Sequence, residues 1–206
     1  MPACSRSLPA ILSGLALAAG FLTGCTADEE ANPQHVPTPL ASYDAEGVLL
    51  QRAEFCPRVS DAAIEATVGE VASTEHHGNG DQVTLADGIK DVSHEFNCTW
   101  TGAEGVVASG WIYAPPVPPE RAEALIADAR GEDDGCGNVT GQGFGTPSTG
   151  TVCRTADATV VTYQGLFVDS WLACSLSVPD PEAATDEVIA AAGAWCVEVA
   201  RAATAD

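Results

Sequence analysis

Residues 166–178 read LFVDSWLACSLSV, and the segment after them carries Val188, Ala192, Cys196 and Val199. In the first stretch Leu166, Val168, Leu172, Cys174, Leu176 and Val178 fall at even positions, the period of a half-buried strand. The second stretch predicts a helix from about Pro181 to Ala203, with its apolar residues along one stripe. A helix that follows a strand buries such a stripe by folding back on the strand's apolar face. Cys174 lies on that face and Cys196 on that stripe, so the two are expected to pair. The expected fold class is α+β: an antiparallel sheet with helices packed on it, a single disulfide-stapled domain.

The same logic extends outward. His94, Phe96, Cys98 and Trp100 alternate with Glu95, Asn97 and Thr99, which predicts a second strand. Thr101 to Gly105 turns the chain into a third, Val106 to Tyr113, which Pro115-Pro116 stops. Pro118-Pro119 opens a helix through Arg130, with Ala122, Leu125, Ile126 and Ala129 on one face. Ser60 caps a short helix whose Ile64 and Val68 share a face and which Gly69 ends. Cys56 introduces that helix and Cys98 faces the core beside Phe96 and Trp100, so these two form the second pair. Short strands are expected near Val83 to Leu85 and from Thr159 to Tyr163. Between them Gly131 to Gly150 reads as a Gly-rich surface loop and candidate contact surface, bracketed by the third pair, Cys136 and Cys153. Each bridge contributes about 3–4 kcal/mol in the chain-entropy model. Phe167 and Trp171 fall opposite the Leu172/Cys174 face; left open, that face makes them a candidate apolar ligand face, and covered by a helix it makes them core.

The N-terminus predicts an address. An apolar run from Leu8 to Leu22, preceded by the single charge of Arg6, ends in Leu22-Thr23-Gly24-Cys25. That run is too short to span a bilayer, which takes about 20 apolar residues, and its ending reads as a lipobox. Residues 1–24 are then a lipoprotein signal peptide, and Cys25 is the lipidated first residue of a chain held on the extracytoplasmic face of a cell membrane. Two or three acyl chains, palmitate among them, anchor firmly where one does not. Residues 25–46, with Asp28, Glu29, Glu30, Pro33, Pro37 and Pro39, read as a disordered tether with a reach of about 25 Å. Residues 47–206 form the single extracytoplasmic domain. Of eight cysteines, Cys4 leaves with the signal and Cys25 takes the lipid. The six left over make the three pairs, as an even number in an exported chain predicts.

Charge narrows the partners. Without Arg6 the chain keeps seven basic residues against 29 acids, a net charge of −22. Such a surface repels phosphate backbones, so nucleic acid is not an expected partner. His76-His77, with Glu75 and Asp81, is the one cluster of metal-ligand character, and His94 or His35 would have to complete it. It matches no tight metal motif, and the surrounding Gly78-Asn79-Gly80 reads as a solvated turn. The Gly-rich loop lacks the Lys-Ser/Thr ending of a phosphate cradle, and the acids Glu132-Asp133-Asp134 lack the pattern of a calcium loop. No Gly-x-Ser-x-Gly elbow or Ser-x-x-Lys occurs. No cofactor and no catalytic residue is expected.

The lipobox, the Pro-rich tether, Cys56 before a short helix, the Cys98-Thr99-Trp100 strand and Trp195-Cys196 near the C-terminus form a combination. It resembles the small cysteine-containing lipoproteins of actinobacterial cell envelopes, whose domain has no assigned function. The resemblance implies a lipid-anchored, non-enzymatic module, and Cys136/Cys153 is where this chain departs from the pattern. The expected function is therefore an extracytoplasmic binding or interaction module. Its expected partners are the membrane, through the lipid, and an envelope protein or a small apolar ligand. The alternatives are a metal-dependent extracytoplasmic enzyme or accessory subunit using His76/His77, and a small solute-binding lipoprotein of a transporter.

Overall fold

The computed structural model describes residues 35–84, 88–131, 136–139 and 143–205. The lipobox, Cys25 and the acids of residues 132–134 lie outside the described residues. In chain order the elements are α1 (Asp61–Val68), β1 (Val71–His77), β2 (Gln82–Thr84), β3 (Lys90–Val92), β4 (Glu95–Gly102) and β5 (Val107–Tyr113). They continue with α2 (Pro119–Gly131), β6 (Cys136–Val139), β7 (Ser148–Arg154), β8 (Thr159–Phe167), β9 (Ser170–Val178) and α3 (Thr185–Ala203). Seven strands form one antiparallel sheet in the order β1-β4-β5-β9-β8-β7-β6, and β2 and β3 form a separate two-stranded ribbon. The fold is α+β, with helices on both faces of that sheet.

The larger core lies between the sheet and α3. Cys98, Trp100, Ala108, Ile112, Val161, Tyr163, Leu172, Cys174 and Leu176 meet Val188, Ala192, Trp195, Cys196 and Val199 there. Val197 and Val199 are fully buried, and each such side chain contributes about 1.5–3 kcal/mol. Gly110 lets α3 come close, because a Cβ there would lie 2.7 Å from Val199 Cγ1. The Trp195 indole packs edge-on against Trp100 with ring centres 5.3 Å apart, and its N–H donates to the Ser109 carbonyl at 2.9 Å. That bond satisfies the one polar atom the burial of Trp195 would otherwise strand. α1 closes the same side. The Ser60 hydroxyl accepts from the Ala63 N–H and Gly69, at φ 73°, caps the helix end.

A smaller core sits on the opposite face, where Ala122 and Ile126 of α2 cover Trp171 and Leu166, with Val117 beside them. Arg130 ties α2 to the sheet by donating to Thr149 Oγ1 at 3.1 Å.

Four sequence expectations change. The strand expected over Leu166 to Val178 is broken by a two-residue turn at Val168-Asp169, with Phe167 opposite Ser170 and Leu166 opposite Trp171. The turn reverses the alternation, so Leu166 belongs to the α2 side and Phe167 to the α3 side. Part of the expected Gly-rich loop is sheet, as β6 and the start of β7. Another part is core: Phe144 is fully buried, edge-on to Phe167 with ring centres 5.2 Å apart. Finally, residues 35–46 do not behave as tether. Leu40 is buried against Gly193 of α3, His35 Nε2 lies 3.8 Å from Glu198 Oε1, and Leu40–Ser42 forms a turn of 3-10 helix. Burying Leu40 and half-burying Tyr43 gives this strap apolar surface to offset the cost of ordering.

The segment leading into α1 also meets the residues that end and follow α3. Gln51 N–H donates to Ala203 O, and Ala205 N–H to Leu49 O, each at 2.8 Å.

Candidate functional site

The sheet register aligns one row of side chains on the α2 side. Glu95 of β4 stands directly opposite Tyr113 of β5. His77 of β1 stands opposite Asn97, one diagonal step from Glu95. On the far side of Tyr113 the row reaches Trp171, which α2 covers. Between His77 and Tyr113 no helix of the described residues covers the row, and a cleft opens there.

Its other walls come from two further segments. The β2–β3 ribbon leaves the sheet between β1 and β4, and its two legs are joined at the base by backbone bonds from Gly80 N–H to Ser93 O and from Ser93 N–H to Asp81 O, each 2.9 Å. Asp81 Oδ2 also accepts from the Gly78 N–H at 2.7 Å, and the buried Ser93 hydroxyl donates to Glu95 O at 3.0 Å. The ribbon's Val83 and Val92 form one wall. Pro115, Pro116 and Val117, on the way from β5 into α2, form the other, with Arg121 from the first turn of α2. The cleft has a volume of about 610 Å³, within the range of sites for small organic ligands.

The charged groups differ in how far they are already satisfied. His77 Nε2 lies 3.5 Å from Glu95 Oε1. Asp91 Oδ1 accepts from the Val92 N–H at 2.8 Å. Burial and the nearby Glu95 carboxylate push the Tyr113 phenol above its ordinary range, with Arg121 pulling the other way. Tyr113 is thus a neutral hydroxyl across the physiological range, able to donate or accept. The site offers an apolar body of valine, proline and tyrosine ring, with a hydroxyl and a guanidinium at one end.

The residues singled out from sequence fare unevenly. The six cysteines are brought together as Cys56–Cys98, Cys136–Cys153 and Cys174–Cys196, with Cα atoms 5.7, 4.1 and 5.6 Å apart. Phe167 and Trp171 are not a ligand face. Both are buried, 2 and 0% exposed, and they lie in different cores because the Val168-Asp169 turn puts them on opposite sides of the sheet. Trp171 is on the row that forms the cleft, but at the end α2 closes. His76 and His77 are consecutive in an extended strand and so point to opposite faces. His77 joins the cleft, while His76 pairs across from Cys98. His94 also lines the cleft and His35 sits on α3. Among the described residues no group of three His, Cys, Asp or Glu side chains is arranged to hold a metal ion.

Sequence reasoning missed Tyr113, Arg121 and Pro115 to Val117 as site residues. One signal was present: Glu95 begins the first strand and Tyr113 ends the second strand of a hairpin whose opposite face is apolar. Pairing them required the turn length, which only the register supplies.

No protein-family model and no curated protein matches the chain. Among solved structures it is similar to a GTP binding regulator from Thermotoga maritima, at 5% identity and a TM-score of 0.37, over 80% of this chain and 90% of that one. A likeness at that level carries no argument about what this chain does. Among the described residues no helix is long and apolar enough to cross a membrane.

Proposed function

We propose that this chain is a lipid-anchored, non-enzymatic binding module on the extracytoplasmic face of a bacterial cell membrane, and that the cleft beside the β2–β3 ribbon takes a small apolar ligand. The observation that carries the binding role is the cleft itself: about 610 Å³, walled by Val83, Val92, Tyr113, Pro115, Pro116 and Val117. The lipobox supports the anchoring. Three disulfides in one domain support an oxidising compartment.

Two measurements test the two halves. Grown with an alkynyl palmitate, cells producing the full chain should label it, and the Cys25→Ala chain should stay unlabelled; equal labelling of both overturns the anchoring. The folded domain should bind the neutral fluorophore N-phenyl-1-naphthylamine at one saturable site. Val83→Asp, on the partly exposed ribbon, should abolish that binding without lowering the melting temperature. Undiminished binding to the Val83→Asp domain overturns the assignment of the cleft.

A further inference from the structure

We infer that the cleft selects an amphipathic anion: an apolar body between the ribbon and the Pro115–Val117 wall, with a carboxylate, sulfonate or phosphate against Arg121 and the Tyr113 hydroxyl. The inference rests on the cleft being a ligand site and adds the chemical class of what it takes.

The chain has 29 acidic residues and only eight basic ones, so an arginine without a partner is an exception to be explained. Six arginines fall among the described residues, and five are engaged. Arg52 pairs with Asp169 at 2.6 Å. Arg58 donates to Gln51 Oε1 at 3.0 Å and Arg130 to Thr149. Arg154 holds the Pro181 carbonyl and Thr185 hydroxyl ahead of α3. Arg201 pairs with Glu198 at 3.1 Å. Arg121 alone has no hydrogen-bonded or ion-paired partner among the described residues, and it is the one that lines the cleft.

Two carboxylates border the same space, and each has a donor of the protein's own beside it: His77 Nε2 lies 3.5 Å from Glu95 Oε1, and Asp91 Oδ1 accepts the Val92 N–H. Arg121, exposed to solvent, is the charged donor in the cleft left available to a ligand, and a planar guanidinium matches an oxyanion best. Tyr113, neutral and directly beside Glu95 on the neighbouring strand, is the second donor near Arg121. The volume fits a ligand of drug-like size.

The test uses three naphthalene probes that differ in charge: 1-anilinonaphthalene-8-sulfonate, neutral N-phenyl-1-naphthylamine and 1-naphthylmethylammonium. The wild-type domain should bind the sulfonate more tightly than the neutral probe. Arg121→Gln should weaken the sulfonate about five- to tenfold, the size expected for one charge-assisted hydrogen bond at a partly exposed site. It should leave the neutral probe within about twofold. Arg121→Lys should recover most of the loss, and all three proteins should melt alike because Arg121 is exposed. Equal binding of sulfonate and neutral probe, with no selective effect of Arg121→Gln, overturns the anion inference and leaves the cleft standing. Tighter binding of the ammonium probe overturns it in favour of Asp91 and Glu95 as the reading groups. Failure of all three probes to bind overturns the cleft itself, and this inference with it.

Discussion

Gly165 offers the sharpest test of how the chain between β6 and β7 is held. A Cβ at Gly165 would lie 1.6 Å from the Phe144 carbonyl oxygen, a distance no relaxation of one side chain can relieve. The chain there is fixed twice more, by Thr146 N–H to Leu166 O at 2.7 Å and Leu166 N–H to Pro147 O at 3.0 Å. Gly165→Ala must therefore lift residues 144–147 off β8 by more than 1 Å, stretching both bonds and drawing Phe144 from its slot against Phe167 and Tyr163. Losing a buried phenylalanine's packing costs about 3–5 kcal/mol and each backbone bond about 1 kcal/mol. Partial relaxation keeps some of each, so the expected loss is about 3–5 kcal/mol, or roughly 10 °C in Tm for a domain of this size. Gly137→Ala is the control, because the nearest atom its Cβ would meet is Val152 Cγ1, at an ordinary 3.5 Å; it should cost less than about 1 kcal/mol. Urea unfolding followed by tryptophan fluorescence measures both. A Gly165→Ala domain within 1 kcal/mol of wild type, or no worse than Gly137→Ala, would refute the close approach.

Val168 sits at φ 60°, a conformation that costs a non-glycine residue roughly 1–2 kcal/mol. Its side chain is 61% exposed, so Val168→Gly should raise stability by about 0.5–1 kcal/mol after the unfolded-state entropy of glycine is subtracted; a lower Tm would contradict the turn geometry. Mild reductant with alkylation and mass spectrometry should open Cys136–Cys153 first, since both its cysteines are half-exposed, and Cys174–Cys196 last, since both are fully buried. Early labelling of Cys174 would sink that order. Burial pushes the Tyr163 phenol up to about 12, above the unfolded value near 10. The neutral form is the one the fold favours, so this stability is complete below pH 10 and is lost as pH rises from 10 to 12, about 2–3 kcal/mol in all. Ultraviolet titration should show one of the three tyrosines ionising last, together with unfolding; three ionising together near pH 10 would count against it.

What the sequence made legible follows from where burial is one-sided. The α3 stripe, the alternation of β4 and the Ser60 cap could be read because each buries one face or satisfies one N–H group. From them the Cys174–Cys196 and Cys56–Cys98 pairs followed as geometry. β1 could not be read, because Val71 to Thr74 and their neighbours up to His76 are exposed on an edge strand and no face is marked. β7 buries Thr149, Gly150 and Thr151, residues with no hydrophobic alternation to detect. The Val168-Asp169 turn contains neither Gly nor Asn, so a continuous strand was the natural reading, and its parity error moved Phe167 and Leu166 to the wrong sides. The cleft draws on residues 77, 83, 84, 91–95, 113, 115–117 and 121, which only strand register brings together.

The strap over α3 gives the domain a defined response to mechanical load. Tension applied at residue 35 first meets the His35–Glu198 contact and the seat of Leu40, and then the bridge between Leu50 and Thr204. All of these can peel one after another, releasing at most about 70 Å of extended chain. Peeling stops at Cys56, where the force passes through a covalent bond into Cys98 of β4. Glu95 stands on that same strand, three residues away. A pull on the N-terminal side of this domain is therefore delivered, once its slack is spent, to the wall of the cleft.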